Sequence, residues 1–229
     1  MNLNVAAVLN WNTWWNTSDF RCTCSSSVNN EDSQSDSISW EDQLKTTAED
    51  AFVSTWLADL RRDEAKRGGV RGNKLRTYRL FKSTFKYEPY LNYIGDRDKR
   101  ILFTKFRIGV CPLRIETGRY ENVGVRKGIL PHERTCLVCG GQDIEDEYHF
   151  LLKCPKYSTR RLHLLDVVQD VCKLSEGQMR ARLEDRSQLF TSIMQCQDKK
   201  IIHAVSDFIW DAYRIREQIM LNGNYVNEM

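Results

Sequence analysis

The stretch Arg134-Thr-Cys-Leu-Val-Cys-Gly-Gly-Gln-Asp-Ile-Glu-Asp-Glu-Tyr-His-Phe-Leu-Leu-Lys-Cys-Pro155 decides how this chain is read. It holds Cys136-x2-Cys139-x9-His149-x4-Cys154, four thiol and imidazole side chains inside nineteen residues. Structural zinc takes four ligands in a tetrahedron, with thiolate sulfur and imidazole nitrogen preferred. A Cys-x2-Cys pair sets two sulfurs on one tight turn, and Gly140-Gly141 can supply positive φ there. Asp143 to Cys154 reads as a short helix whose first-turn acids suit the dipole. Pro155 interrupts it or opens the next helix. His149 and Cys154 lie five apart, so both face the cysteine pair only if the helix frays or tightens near Cys154. With all four positions filled by protein, no site is left for water, which makes a bound Zn2+ structural rather than catalytic. Two other readings compete. A redox Cys-x2-Cys usually opens a helix in a βαβ unit, and no such unit is seen. Unrelated buried cysteines pack as small hydrophobes, but they leave the second pair unaccounted for.

Outward from this run, the fold class reads as mainly α: a helical domain with a small CCHC zinc motif and a disordered N-terminal tail. Residues 1–37 are rich in Ser, Asn and acids and bury too little apolar surface to offset chain entropy. Three tryptophans, Trp11, Trp14 and Trp15, sit in this tract as an incidental cluster or a short interaction motif. Residues 38–127 form a basic, helix-rich segment. Ser39 can cap a helix from Trp40 to Lys66, with Leu44, Ala48, Phe52, Trp56 and Leu60 as its apolar row, ended by Gly68-Gly69. Lys74 to Phe85 suits either helix or strand. Asp96 can cap a helix through Arg107 that buries Ile101, Leu102, Phe103 and Phe106, and Ile115 to Asn122 is extended or looped. Residues 128–157 hold the zinc motif.

Residues 158–222 form a C-terminal helical bundle that packs on the preceding segment. Its first helix, Tyr157 to Val171, points Leu162, Leu165, Val168 and Cys172 inward. A short helix follows at Ser187 to Met194. From Gln197 to Met220, the residues Ile201, Val205, Phe208, Ala212, Ile215 and Ile219 are separated by 4, 3, 4, 3 and 4, a heptad-like seam. Under three heptads long, it favours packing within the chain over dimerisation. His163 and His203 sit near this core as structural residues.

Charge is unevenly distributed. Residues 1–60 carry a net −7, residues 61–127 a net +12 and residues 128–229 a net −2. The middle block interleaves cations with aromatics. Its candidate nucleic-acid contacts are Arg67, Arg71, Lys74, Arg76, Arg79, Lys82, Lys86, Lys105 and Arg107. Lysine and arginine neutralise phosphates and release counterions, and aromatic faces can stack unpaired bases. For Tyr78, Phe81, Phe85 and Tyr87, core packing is the favoured reading. RNA or DNA, bound without sequence preference, is therefore the expected partner.

Five segments carry a family resemblance: Lys74-Leu-Arg-Thr-Tyr-Arg-Leu-Phe-Lys82, Phe106-Arg107, Ile115-Glu-Thr-Gly-Arg-Tyr120, Arg134-Thr-Cys-Leu-Val-Cys139 and Glu145-Asp-Glu-Tyr-His-Phe-Leu-Leu-Lys-Cys-Pro155. Together they resemble the zinc-binding region downstream of the polymerase core in reverse transcriptases of animal non-LTR (LINE-like) retrotransposons. The resemblance runs from about Trp40 to the C-terminus and is strongest from Lys74 to Tyr157. It implies Cys136, Cys139, His149 and Cys154 as zinc ligands and a reverse-transcriptase core as a further partner. The paired-aspartate string of the polymerase, a palm and an endonuclease are absent from the sequence. The chain therefore reads as a non-catalytic fragment or relic. The alternative is a zinc-stabilised helical protein-interaction domain with no nucleic-acid role.

Composition narrows the class further. At 41% hydrophobic and 28% charged, a packed core is affordable and no disordered or membrane class is indicated. No apolar run approaches the roughly 20 residues of a membrane span, and Val5 to Leu9 is too short for a signal peptide. Eight cysteines without a secretory signal fit a reducing compartment, so an intracellular location, nuclear or cytoplasmic, is expected. The acids Asp143, Glu145, Asp146 and Glu147 could be imagined around Mg2+, but two-metal sites draw carboxylates from separate elements. A run on one turn reads as a solvated helix start.

Overall fold

The computed structural model describes residues 39–65, 75–82 and 86–226. The tract 1–37 and the candidate residues Arg67, Arg71, Lys74 and Phe85 lie outside these described residues. Helix α1 spans Trp40–Ala65, and the Asp42 N–H donates to the Ser39 hydroxyl at 3.2 Å, the expected cap. Short helices α2 (Tyr78–Phe81) and α3 (Tyr90–Tyr93) lead to α4 (Arg97–Arg107), whose Lys99 N–H donates to the Asp96 carboxylate at 2.9 Å. The stretch from Ile115 opens as a short helix α5 (Arg114–Thr117). A hairpin follows, pairing β1 (Asn122–Val123) with β2 (Arg126–Lys127). After the metal-ligand loop come α6 (Ser158–Val171), α7 (Glu176–Glu184), α8 (Arg186–Gln195) and the long α9 (Lys199–Val226).

The α9 seam is the spine of the core. Ile201, Val205, Phe208 and Ala212 are buried, and Ile215 and Ile219 half-buried, as the helix packs against α6 and α4. The favoured intrachain role of this seam is what the structure shows. Phe150, just inside the ligand loop, is ringed by Phe106 at 5.8 Å, Tyr157 at 4.8 Å and Phe208 at 6.0 Å between centroids. One hydrophobic cluster thus runs from Phe81 through Cys136 and Cys154 to Ala212.

Several expectations are corrected. The α1 row is not buried at its described side chains: Leu44 is 63% and Phe52 54% exposed, and among the described side chains of the helix only Val53, Trp56 and Leu57 are half-buried, with Leu60 outside the described side chains. Trp56 meets the edge of Tyr78 at 6.3 Å. A row spaced strictly by four drifts about 40° around the helix at each step, so the Trp56 end faces the domain while the Leu44 end has turned away. In α6, Leu162 is exposed and Leu164 buried, because Arg161 takes the inward position. His163 is exposed and His203 half-buried. Ile101 in α4 is exposed, while Leu102, Phe103 and Phe106 are buried as expected. Helix α7, absent from the sequence reading, begins at a capping box in which Ser175 and Gln178 exchange hydrogen bonds. Among the described residues, no helix is long and apolar enough to cross a membrane.

Candidate metal centre

The ligand atoms of Cys136, Cys139, His149 and Cys154 lie within 4.8 Å of one another. The first two come from a knuckle closed by a Gly140 N–H to Cys136 C=O bond of 3.1 Å, with Gly140 at φ +67°. A side chain at that φ is strained, so glycine is needed there. Burial raises the Cys139 thiol above its ordinary value, and the Gly141 N–H, which donates to Cys139 Sγ at 3.4 Å, partly offsets this.

The second pair is set by a backbone feature that the helical reading missed. His149–Lys153 is a π-helical turn, and the Cys154 N–H donates to the His149 C=O at 2.7 Å. The helix therefore widens, rather than fraying or tightening. Residues five apart close one π turn, which brings His149 and Cys154 to the same side. Phe150, Leu151 and Leu152 fill the core from the same turn. Single π turns inside helices are frequent at functional sites. Arg161 seals the end of this one, donating to the carbonyls of Leu151 at 2.7 Å and Cys154 at 2.8 Å.

Electrostatics suit a cation. His149 Nε2 lies 3.6 Å from Cys139 Sγ, and Nδ1 is buried without a hydrogen bond, 3.7 Å from the Asp143 carboxylate. Without metal the sulfurs compete for protons. A hydrogen bond with Cys154, helped by burial, pushes the Cys136 thiol up to about 12, and the same bond lowers Cys154. Burial opposes charge on His149, but the Cys136 hydrogen bond and the Asp143 carboxylate outweigh it and raise the imidazole above its usual value. Three sulfurs and a ring nitrogen around one point, with an orphaned Nδ1 behind, form a donor set that could hold a metal ion.

The acids of the loop are not a solvated helix start. Only Asp143 is well exposed. The Asp146 carboxylate accepts the His149 N–H at 2.7 Å, and burial raises its pKa. Glu145 and Glu147 are each 1% exposed and act as struts. Glu145 accepts from Arg216 of α9 at 2.8 and 3.0 Å and from the Arg114 N–H at 2.8 Å. Glu147 accepts from Arg76 and from the Thr77 hydroxyl, both at 2.6 Å. The buried Arg134 guanidinium donates to the carbonyls of Ile115 at 2.6 Å and Ile129 at 2.7 Å. Glu145 and Glu147, read from sequence as part of a solvated helix start, are buried struts instead, and Arg114, Arg134 and Arg216 were not singled out at all, since partners such as Glu145 and Arg216 lie 71 residues apart in sequence.

The candidate nucleic-acid cations divide. Arg107 is buried over the Phe81 ring at 4.5 Å, donates to Met194 C=O at 2.6 Å and Glu88 at 3.0 Å, and has its pKa lowered by burial. Lys82 pairs with Glu88, and Arg76 with Glu147. Arg79 is half-buried, its Nε reaching the Leu75 carbonyl at 3.4 Å. Lys86 and Lys105 are exposed. No family model, no curated protein and no solved structure matches the chain.

Proposed function

We propose that this chain is a non-catalytic, zinc-stapled nucleic-acid-binding module of the kind that follows the polymerase in LINE-like reverse transcriptases. The observation that carries this reading is the convergence of Cys136, Cys139, His149 and Cys154 in a loop whose acids grip both flanking segments. The 3.6 Å between Cys139 Sγ and His149 Nε2 is close to the about 3.5 Å expected across a tetrahedral ion at ordinary Zn–S and Zn–N lengths. Three thiol sulfurs and one imidazole also favour zinc over the hard cations that take oxygen. Cys136, Cys139, His149 and Cys154 would be the ligands, and the metal would supply folding energy rather than chemistry.

Through Glu147 the staple fixes Arg76 and Thr77, and through Glu145 it fixes Arg114 and α9. It thereby ties Arg76, Thr77 and Arg114 of the basic segment to the helical bundle. Cations left facing solvent, Lys86 and Lys105 among them, would contact the phosphates of RNA or DNA without sequence preference. A reverse-transcriptase core is the second partner this reading supplies. The test is binding to a single-stranded oligonucleotide across a salt series. Affinity should fall steeply with salt, and binding at about 150 mM salt no tighter than that of an acidic control protein would overturn the proposal.

One observation favours a second reading, a zinc-stabilised protein-interaction domain: the exposed Leu44 and Phe52 of α1. Self-association through Ile201 to Ile219 is not its route, since that seam is used inside the chain.

A further inference from the structure

The β1–β2 hairpin stands out from the surface in a way the staple alone does not require. Its two-residue turn, Gly124-Val125, has glycine at φ +59° in the first position, a tight hairpin arrangement. Val125 at the tip is 106% exposed, and Tyr120 at the root is 74% exposed. Asn122 and Lys127 are cross-strand partners, both exposed, so they project from one face of the ribbon. Between Asn122 and His132 the sequence has two cations, Arg126 and Lys127, and no acid.

The root is held firmly by contrast. Arg114 donates to Glu121 at 2.6 Å, the Gly128 N–H to the Glu121 C=O at 2.6 Å, and the Ile129 N–H to the Gly118 C=O at 2.7 Å. Arg134 and Glu145 tie this root to the ligand loop, through Ile129 C=O and the Arg114 N–H. An exposed aromatic, an exposed apolar tip and the exposed Lys127 on a firmly held base lower the ordering cost of binding a flexible polyanion.

We infer that this hairpin is a contact site for unpaired nucleic acid, with Tyr120 as a stacking platform, Lys127 on a phosphate, and the metal loop as its anchor. The inference rests on the nucleic-acid reading above and adds where on the molecule the strand lies. Stacking on an aromatic face is sequence-tolerant because every base has one.

The experiment measures anisotropy of labelled single-stranded RNA and DNA of mixed sequence with the full chain and its variants. Tyr120→Ala should bind on the order of 10-fold more weakly, whereas Tyr120→Phe should bind like the parent. Lys127→Gln should reduce the slope of log affinity against log salt by about 0.7, and to a greater extent than Lys200→Gln on α9. Parent binding with Tyr120→Ala and Lys127→Gln unchanged would overturn the hairpin site and leave the broader reading standing. No binding by the parent would overturn both.

Discussion

Replacing Glu145 with Gln tests whether the ligand loop is the strut that joins the halves of the molecule. The carboxylate is 1% exposed and accepts three hydrogen bonds, two from Arg216 and one from the Arg114 N–H. An amide keeps one acceptor oxygen but turns an N–H2 toward a guanidinium that also donates, leaving Arg216 charged and buried without its partner. Removing one member of such a pair costs about 3–5 kcal/mol. For a chain of this length that is a fall in melting temperature on the order of 10 °C. Arg216→Met should cost a similar amount by stranding the carboxylate. The double variant removes both charges, and its Gln oxygen can still accept the Arg114 N–H. It should therefore be more stable than the sum of the singles predicts, by about 1 kcal/mol or more. Urea unfolding monitored by circular dichroism measures all three. A Glu145→Gln loss under about 1 kcal/mol, or strict additivity, would refute the strut.

Other outcomes follow from the same contacts. Gly118→Ala would place a Cβ 2.8 Å from the Arg114 carbonyl and 2.9 Å from Arg134 Cγ. Backbone cannot yield there, so a loss of about 1–3 kcal/mol is expected in thermal unfolding. Phe208→Glu puts a carboxylate into the α9 seam, where Phe208 is 4% exposed. It should unfold the protein, by at least about 4 kcal/mol in denaturant, rather than dissociate a dimer in sedimentation. Metal binding must displace the proton that Cys136 holds up to about 12 and any on the raised His149. Affinity should therefore rise with pH, by up to about tenfold per unit for each proton released, in competition with a chelator of known affinity. The metal-free protein should show the opposite sign from His149. That contribution is present below the ordinary imidazole value of 6.5 and is lost as pH rises through the raised one, as thermal melts of chelated protein at several pH values would show.

Two apolar rows in this sequence look alike and behave differently, and the difference is geometric. The α9 row alternates four and three, stays on one face, and becomes the core; the α1 row steps by four each time and winds off the domain. Capping chemistry was readable where the residue type has one local job, as at Ser39 and Asp96, and the same signal at Ser175 and Gln178 would have revealed α7. The ligand quartet was also legible, since thiols and an imidazole at that spacing have few other uses. The π turn was not, because widening a helix by one residue changes no composition or periodicity that a single sequence displays. Nor was the work of Glu145, Glu147, Arg107 and Arg161: a charged side chain reads as solvated until its partner, distant in sequence, is brought beside it. The basic block 61–127 shows the same effect, with part of its charge answered internally by Glu88 and Glu147.

The metal staple is tested by the metal content of the purified protein together with its X-ray absorption spectrum. About one equivalent of zinc is expected, with three sulfurs at about 2.3 Å and one nitrogen at about 2.0–2.1 Å. Cys136→Ser or Cys154→Ser should lose the metal and unfold the loop, since structural zinc can contribute roughly 10 kcal/mol or more. Fully folded protein with no zinc, or zinc in an oxygen-rich shell, would contradict it.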